Sequence, residues 1–411
     1  ALPMAAIPFL FNQPLAELIL GDRALWFLMC IGTATVLCKV VLRMPFAIMR
    51  AHDQSRRYAS WSLARNGLGL VLAVLLVAGF HLGATGVVLS QFLAEIAFCF
   101  LLSGMTFHSL RAGFHWKDVK DQLLFGLPFV PIGVASFVLD LTDRWFLKHY
   151  YSTAEVGIYS LGYRFGEILT FVVTAFQLSW PQFLFRNRKE PNAPQLYADM
   201  TSYYLALILF LWLGLAVFAP ELLRIMATPK FYPAATLIPV VSFALVLDGM
   251  GWMFNIGALF SKKTLLRTAS VSLGAAVNLS LNFLLIPKYG MMGAAWSTFL
   301  GFLTQMSTTL ILSLRVYHVP YRYGRMAATL GAALAVYGVS AIVDTHSVVT
   351  AIAIKAPLML LFPVALLSAG LFDPKDIAAV LATVERRVPQ AAVAVKYLRP
   401  LVLRGRDASR S

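Results

Sequence analysis

Twelve long apolar runs follow one another along the chain, at 2–20, 24–48, 58–80, 83–106, 127–149, 155–180, 197–219, 233–258, 264–286, 291–314, 325–343 and 347–370. A helix needs about 20 apolar residues to cross a hydrocarbon core. Only helices or closed barrels satisfy their own backbone polar groups in lipid. Barrel strands alternate apolar and polar residues over about ten positions, whereas these runs are longer and continuous. The expectation is an all-α polytopic membrane protein with about 12 transmembrane helices. Composition agrees: 59% of the 411 residues are hydrophobic and 13% are charged. A soluble domain of this size cannot hide that much apolar surface.

The net charge is +15. The basic residues are not interleaved with aromatics on a polar face, which argues against nucleic acid. They sort instead by loop. With the C-terminus inside, 25 Lys and Arg fall on inside segments and 5 on outside ones. Such a split over short loops predicts a cytosolic C-terminus. The three cysteines, Cys30, Cys38 and Cys99, lie in apolar runs, so neither a disulfide framework nor a zinc site is expected. The histidines show no metal spacing and no phosphate-binding Gly-Lys-Ser/Thr loop is present, so no cofactor is expected. No charged segment leads into a small-residue cleavage site, so no signal peptide is expected.

One stretch recurs. Gly83-Ala84-Thr85-Gly86-Val87-Val88-Leu89-Ser90-Gln91-Phe92-Leu93-Ala94 returns 207 residues later as Gly290-Met291-Met292-Gly293-Ala294-Ala295-Trp296-Ser297-Thr298-Phe299-Leu300-Gly301. The same offset places runs 264–286 and 233–258 near 58–80 and 24–48, and run 197–219 at the start of the chain. Both copies cross in the same direction, so the repeat is parallel, as in many secondary transporters. Runs 127–149 and 155–180 have no counterpart. The first lobe is therefore expected to lack two helices, as a fragment, a truncated gene model or a naturally shorter protein.

The organisation read from this is an incomplete N-terminal lobe over 1–106 and a cytosolic amphipathic linker over 107–126. A six-helix C-terminal lobe over 127–314, a terminal helix pair over 315–370 and a basic cytosolic tail over 371–411 follow. A second amphipathic linker is expected at Pro181–Leu196. The tail either lies on anionic lipid or is disordered.

Several stretches carry a resemblance. Gly126-Leu127-Pro128-Phe129, Leu141-Thr142-Asp143-Arg144-Trp145-Phe146-Leu147 and Glu155-Val156-Gly157-Ile158-Tyr159-Ser160 are among them. So are Trp180-Pro181-Gln182-Phe183, the Asn278 to Asn282 segment and Ile286-Pro287-Lys288-Tyr289-Gly290. With these the chain resembles the polysaccharide-biosynthesis flippases of the multidrug/oligosaccharidyl-lipid/polysaccharide exporter superfamily. The resemblance implies two six-helix lobes plus a terminal pair, and no enzyme activity. It also implies a polyprenyl-diphosphate-linked oligosaccharide as substrate, a bacterial inner membrane and a polysaccharide polymerase as partner. It places Asp143 and Arg144, which match an Asp-Arg motif of the family, at the outer end of the family's seventh helix.

Charged groups at membrane depth are candidates for function by default. Arg144 and Arg164, with Lys39 in the first lobe, are candidate cavity cations for a diphosphate. Tyr159 and Tyr163 form a face suited to sugar, with an interfacial aromatic belt as the alternative. Asp140 and Asp143 beside Arg144, Glu167 beside Arg164, and Asp248 and Glu95 are candidate carboxylates for H⁺ or Na⁺ coupling. Internal ion pairs are the competing reading of Asp140 with Arg144 and of Arg164 with Glu167. Asp248 has no charged neighbour in sequence, and Gly249, Gly251 and Gly257 suggest a helix bend beyond it. Lys355 reads as snorkelling to an interface. Asn278 and Asn282 read as glue between helices. The rival functions are a peptidoglycan-lipid flippase, a drug or cation antiporter, and a non-transporting fragment. A membrane-embedded glycan polymerase or acyltransferase lacks the large outer loop or buried catalytic His it would need.

Overall fold

The computed structural model describes residues 10–368, apart from 21–22, 53, 110–115, 117–119, 121–129, 262–263 and 344–346. Linker 107–126 and tail 371–411 fall almost wholly outside the described residues. The described residues are overwhelmingly helical, with no strand among them. They belong to two compact units, Ala1–Asp121 and Gln122–Ser411. Among the described residues nine helical segments are long and apolar enough to cross a membrane. That is fewer than the twelve runs for physical reasons. Leu265–Leu314 counts once but holds a kink at Gly290. The helix Val130–Tyr150 carries four charged residues, Asp140, Asp143, Arg144 and Lys148. Of the first run, the described residues hold the nine-residue helix Asn12–Leu20.

The first unit comprises α1 (Asn12–Leu20), α2 (Trp26–Ala51), α3 (Ser55–Val74, continued by a π turn at Leu75–Gly79) and α4 (Gly83–Ser109). Its core joins Leu42, Phe46 and Met49 of α2 to Phe98 and Leu102 of α4. Edge-on rings, Phe46 on Tyr58 and Trp61 on Phe98, tie α3 to both. The outer faces stay apolar: Phe100 is 75% exposed and Leu63 73%. In water this would be an aggregation surface, whereas in a bilayer it is the lipid face.

The second unit begins with α5 (Val130–Tyr150), α6 (Thr153–Gly166) and α7 (Ile168–Asn187). It continues with α8 (Ala193–Val217), the short α9 (Ala219–Met226), α10 (Ile238–Met253) and the short α11 (Ile256–Ser261). Last come α12 (Thr264–Leu314), α13 (Tyr323–Ile342) and α14 (Val348–Ser368). The single run 155–180 is thus two helices. Glu167 joins them with near-helical φ −57 and ψ −16, so α6 runs on into α7 with a change of hydrogen-bond register. The linker expected at Pro181–Leu196 is mostly helix as well, because Pro181 is carried inside α7. The bend expected around Gly249, Gly251 and Gly257 lies among them, between Met253 and Ile256. There Gly257 sits against Ser313, whose hydroxyl accepts its N–H at 2.8 Å.

The repeated stretch opens on a glycine of positive φ in each unit. Gly83 has φ +52 and Gly290 φ +53, a left-handed conformation that strains any residue with a Cβ. Three residues on, Gly86 and Gly293 both seat against the end of the preceding helix. A Cβ there would come within 3.2 Å of the Leu76 carbonyl carbon and within 2.9 Å of the Ile286 nitrogen respectively. At Gly290 the two halves of α12 fold back as a hairpin. Gly274 and Gly301 face each other across it: a Cβ at Gly301 would stand 2.8 Å from the Asn278 Cβ. Hydroxyls within the helices bond back to their own backbone. Ser297 donates to the Gly293 carbonyl at 2.8 Å, which satisfies it without water.

Candidate functional site

A cavity of about 1300 Å³ lies within the second unit. Its walls come from α5, α6, α7, α10, α11 and α12, so it is built between helices expected to span the bilayer. Single drug-sized pockets run to about 1,000 Å³, so this one suits a larger ligand. Much of the wall is apolar, including Leu139, Phe171, Leu178, Leu245 and Phe302. The polar groups gather in three places, each an arginine with a carboxylate.

The first is at the C-terminal half of α5. Asp143 is 1% exposed. It accepts from the Tyr159 hydroxyl and, at 2.7 Å, from the Arg144 backbone N–H. The Arg144 guanidinium stands 3.6 Å from the same carboxylate and lies 4.7 Å over the Tyr163 ring. Arg144 therefore pairs with the adjacent Asp143. Asp140 lies on α5, but its side chain is outside the described residues. Tyr159, expected on a sugar-facing surface, is instead fully buried beneath Asp143 and does not line the cavity. It packs there with Phe146 and Leu147 of α5 and with Ile286, Ala294 and Ala295 of α12. Tyr163 keeps an edge on the cavity.

The second place is the α6–α7 junction, where Arg164 and Glu167 form an i, i+3 pair at 2.9 Å. This pair is open, with the Arg164 side chain 78% exposed, and both residues line the cavity.

The third surrounds Asp248 on α10. Its carboxylate, isolated in sequence, has two partners in space: Gln305 Nε2 donates at 2.8 Å and Arg267 Nη2 stands 3.8 Å away. Arg267 also lies 4.6 Å over the Trp252 ring. Reading the sequence by apolar runs assigned Arg267 to a cytosolic loop and passed over Trp252, Asn255 and Gln305. The available signal was polar residues inside runs 233–258, 264–286 and 291–314, which deserved the same weight as charges.

Other candidates are not among the residues that line this cavity. Lys39 is exposed on α2. Glu95 on α4 is 7% exposed and stands 3.8 Å from Arg65, a residue counted among the loop cations but placed on α3. Lys355 does not snorkel. It is 6% exposed, 2.7 Å from Glu221 of α9, and it donates to the Val217 carbonyl at 3.3 Å. Asn278 and Asn282, both fully buried, bond to each other at 3.2 Å along one helix. Among the described residues no cluster of His, Cys, Asp and Glu is arranged to hold a metal ion.

Comparison with known proteins adds to this geometry. Residues 1–236 match the family described as polysaccharide biosynthesis protein. The succinoglycan biosynthesis transport protein ExoT of Rhizobium meliloti is 25% identical over 219 residues, covering 52% of this chain and 44% of that protein. An uncharacterized membrane protein of Methanocaldococcus jannaschii is 34% identical over 103 residues, covering 24% of this chain and 20% of that protein. The chain thus spans less than half the length of these curated relatives. Among solved structures, the lipid II flippase MurJ in an inward closed conformation superposes with a TM-score of 0.69 at 13% identity. That superposition covers 88% of this chain and 80% of MurJ. A mutant of the Vibrio cholerae MATE transporter VcmN gives 0.59 at 19% identity, over 77% of this chain and 76% of that one. At these identities the likeness is one of fold: polytopic and all-helical.

Proposed function

We propose a lipid flippase, from one premise: this chain belongs to the polysaccharide biosynthesis protein family. It is a multi-pass membrane transporter rather than an enzyme. The finer reading is that it moves a polyprenyl-diphosphate-linked oligosaccharide across the bacterial inner membrane for O-antigen or exopolysaccharide synthesis, handing it to a polymerase. Sugars and phosphates cannot enter hydrocarbon unaided. A polar cavity holds the headgroup while the polyprenyl chain stays in lipid, and the protein alternates between two accesses.

The observation that carries this reading is the 1300 Å³ cavity edged by Arg144 and Arg164. Both arginines are already matched by carboxylates, Asp143 and Glu167. A diphosphate entering the cavity competes for the guanidinium groups, which hold phosphate well as planar donors. A carboxylate that loses its arginine in a low-dielectric site favours taking up H⁺ or Na⁺. Substrate binding and ion binding are linked by that exchange, and Asp248 is a further carboxylate on the same wall. A drug or cation antiporter is the second reading, favoured by Glu167 and Asp248. Arg144, Arg164 and Arg267 outnumber those two acids on the cavity wall, which favours an anionic cargo.

The test is flux of a fluorescent polyprenyl-diphosphate glycan in proteoliposomes under an imposed ion gradient. Arg144→Ala is expected to lower the initial rate at least tenfold. Asp248→Asn is expected to remove the response to the gradient. Unchanged flux in both variants would sink the site assignment. Accumulation of a cationic dye in place of the lipid would favour the antiporter.

A further inference from the structure

We propose that Trp252, Asn255 and Arg267 form a hydroxyl-reading subsite, which recognises a sugar ring of the substrate apart from its diphosphate. This rests on the flippase reading and deepens it.

Asp248, Trp252 and Asn255 are spaced i, i+4 and i+7, so they share one face of α10 as it ends. All three line the cavity. Arg267 reaches this face from α12 and is held on several sides. Its guanidinium lies over Trp252 at 4.6 Å, and Asp248 stands 3.8 Å from Nη2. Gln305 fixes the carboxylate from behind at 2.8 Å.

Two polar atoms in this arrangement are buried without a partner: Arg267 Nη1 and Asn255 Oδ1. Asn255 is only 5% exposed. Buried polar atoms rarely stay unpaired, and leaving them so is costly. One is a donor and the other an acceptor, a pair that a hydroxyl satisfies because it both accepts and donates. Either end of the Asn255 amide serves a hydroxyl equally well. A phosphate fits less well. The Asn255 carbonyl faces an anion with the wrong sign. The held guanidinium also costs little ordering when the ligand binds.

The experiment measures dissociation constants for the full chain in lipid nanodiscs. Four probes are used: undecaprenyl diphosphate and its glucosyl, galactosyl and N-acetylglucosaminyl derivatives. At least one glycosylated lipid is expected to bind about tenfold tighter than the bare diphosphate. Asn255→Ala should bring that ratio to within about twofold. So should Arg267→Lys, which keeps the charge beside Asp248 and loses the planar second donor. Thermal midpoints of both variants check that they are folded. If all four lipids bind the wild type within twofold, or both variants keep the tenfold ratio, the subsite is refuted and the flippase stands. If none of the four lipids binds, the flippase reading itself fails.

Discussion

Each arginine of the cavity wall has a carboxylate within 4 Å, and some charges elsewhere, Arg65, Arg322 and Lys355 among them, are paired in the same way. Lys355 and Glu221 show the energetic side of such pairing. Both side chains are over nine-tenths buried, and they stand 2.7 Å apart. Removing one partner of such a pair strands the other's charge, at a cost of about 3–5 kcal/mol, while replacing both by apolar residues is often neutral. Glu221→Leu is therefore expected to lower the thermal midpoint in detergent sharply. Adding Lys355→Met should restore most of the loss. A double variant no more stable than the single one would show that the pair does not act as a unit. Asp248 and Lys355 were legible in sequence, because a charge in an apolar run stands out. Their partners were not: Arg267 lies 19 positions from Asp248, and Lys355 lies 134 from Glu221. Nothing local records a contact across helices.

Among the elements, the kink at Gly290 and the hairpin it closes depend on missing side chains. Gly290→Ala puts a Cβ into a left-handed backbone at about 1–2 kcal/mol, and Tyr151 stands only 3.3 Å from that position. Gly301→Ala drives a Cβ to 2.8 Å from the Asn278 Cβ and 3.1 Å from Leu139 Cδ2. Overpacking of this kind costs about 1–3 kcal/mol. Gly301→Ala is expected to lower the thermal midpoint, and Gly331→Ala, where nothing lies within 4 Å, to leave it nearly unchanged. Equal midpoints for the two would refute the close crossing. The repeat and its glycines were visible as a sequence pattern, and the matching positive φ at Gly83 and Gly290 gives that pattern its physical content. The break at Glu167 was not visible. Gly166 precedes it, but Gly157 and Gly162 lie in the same run without breaking α6, so composition does not single the junction out.

For the whole molecule, the division of basic residues makes a prediction about orientation. With the chain's three cysteines replaced, a cysteine placed at Asn192 is expected to react with a membrane-impermeant reagent only from the cytosolic side. One placed at Lys230 should react only from the opposite side. Reversed labelling would overturn the topology, and with it the direction of transport. The prediction belongs to this scale because orientation is set by summed loop charge, not by any one residue.

Membrane residence, helical class, the recurrence of the glycine pattern and the sign of each buried charge were determined by the sequence alone. Lipid makes these properties one-dimensional: a long apolar run has a single stable solution, and a charge within it is conspicuous. The tertiary structure decided which helices break, which cation meets which carboxylate, and that Tyr159 lies under Asp143 rather than in the cavity. It also decided that Arg267 and Asn255 bring unpaired polar atoms to one wall. These depend on distances between segments far apart in the chain, and helix packing sets those distances through steric fit that hydropathy does not encode.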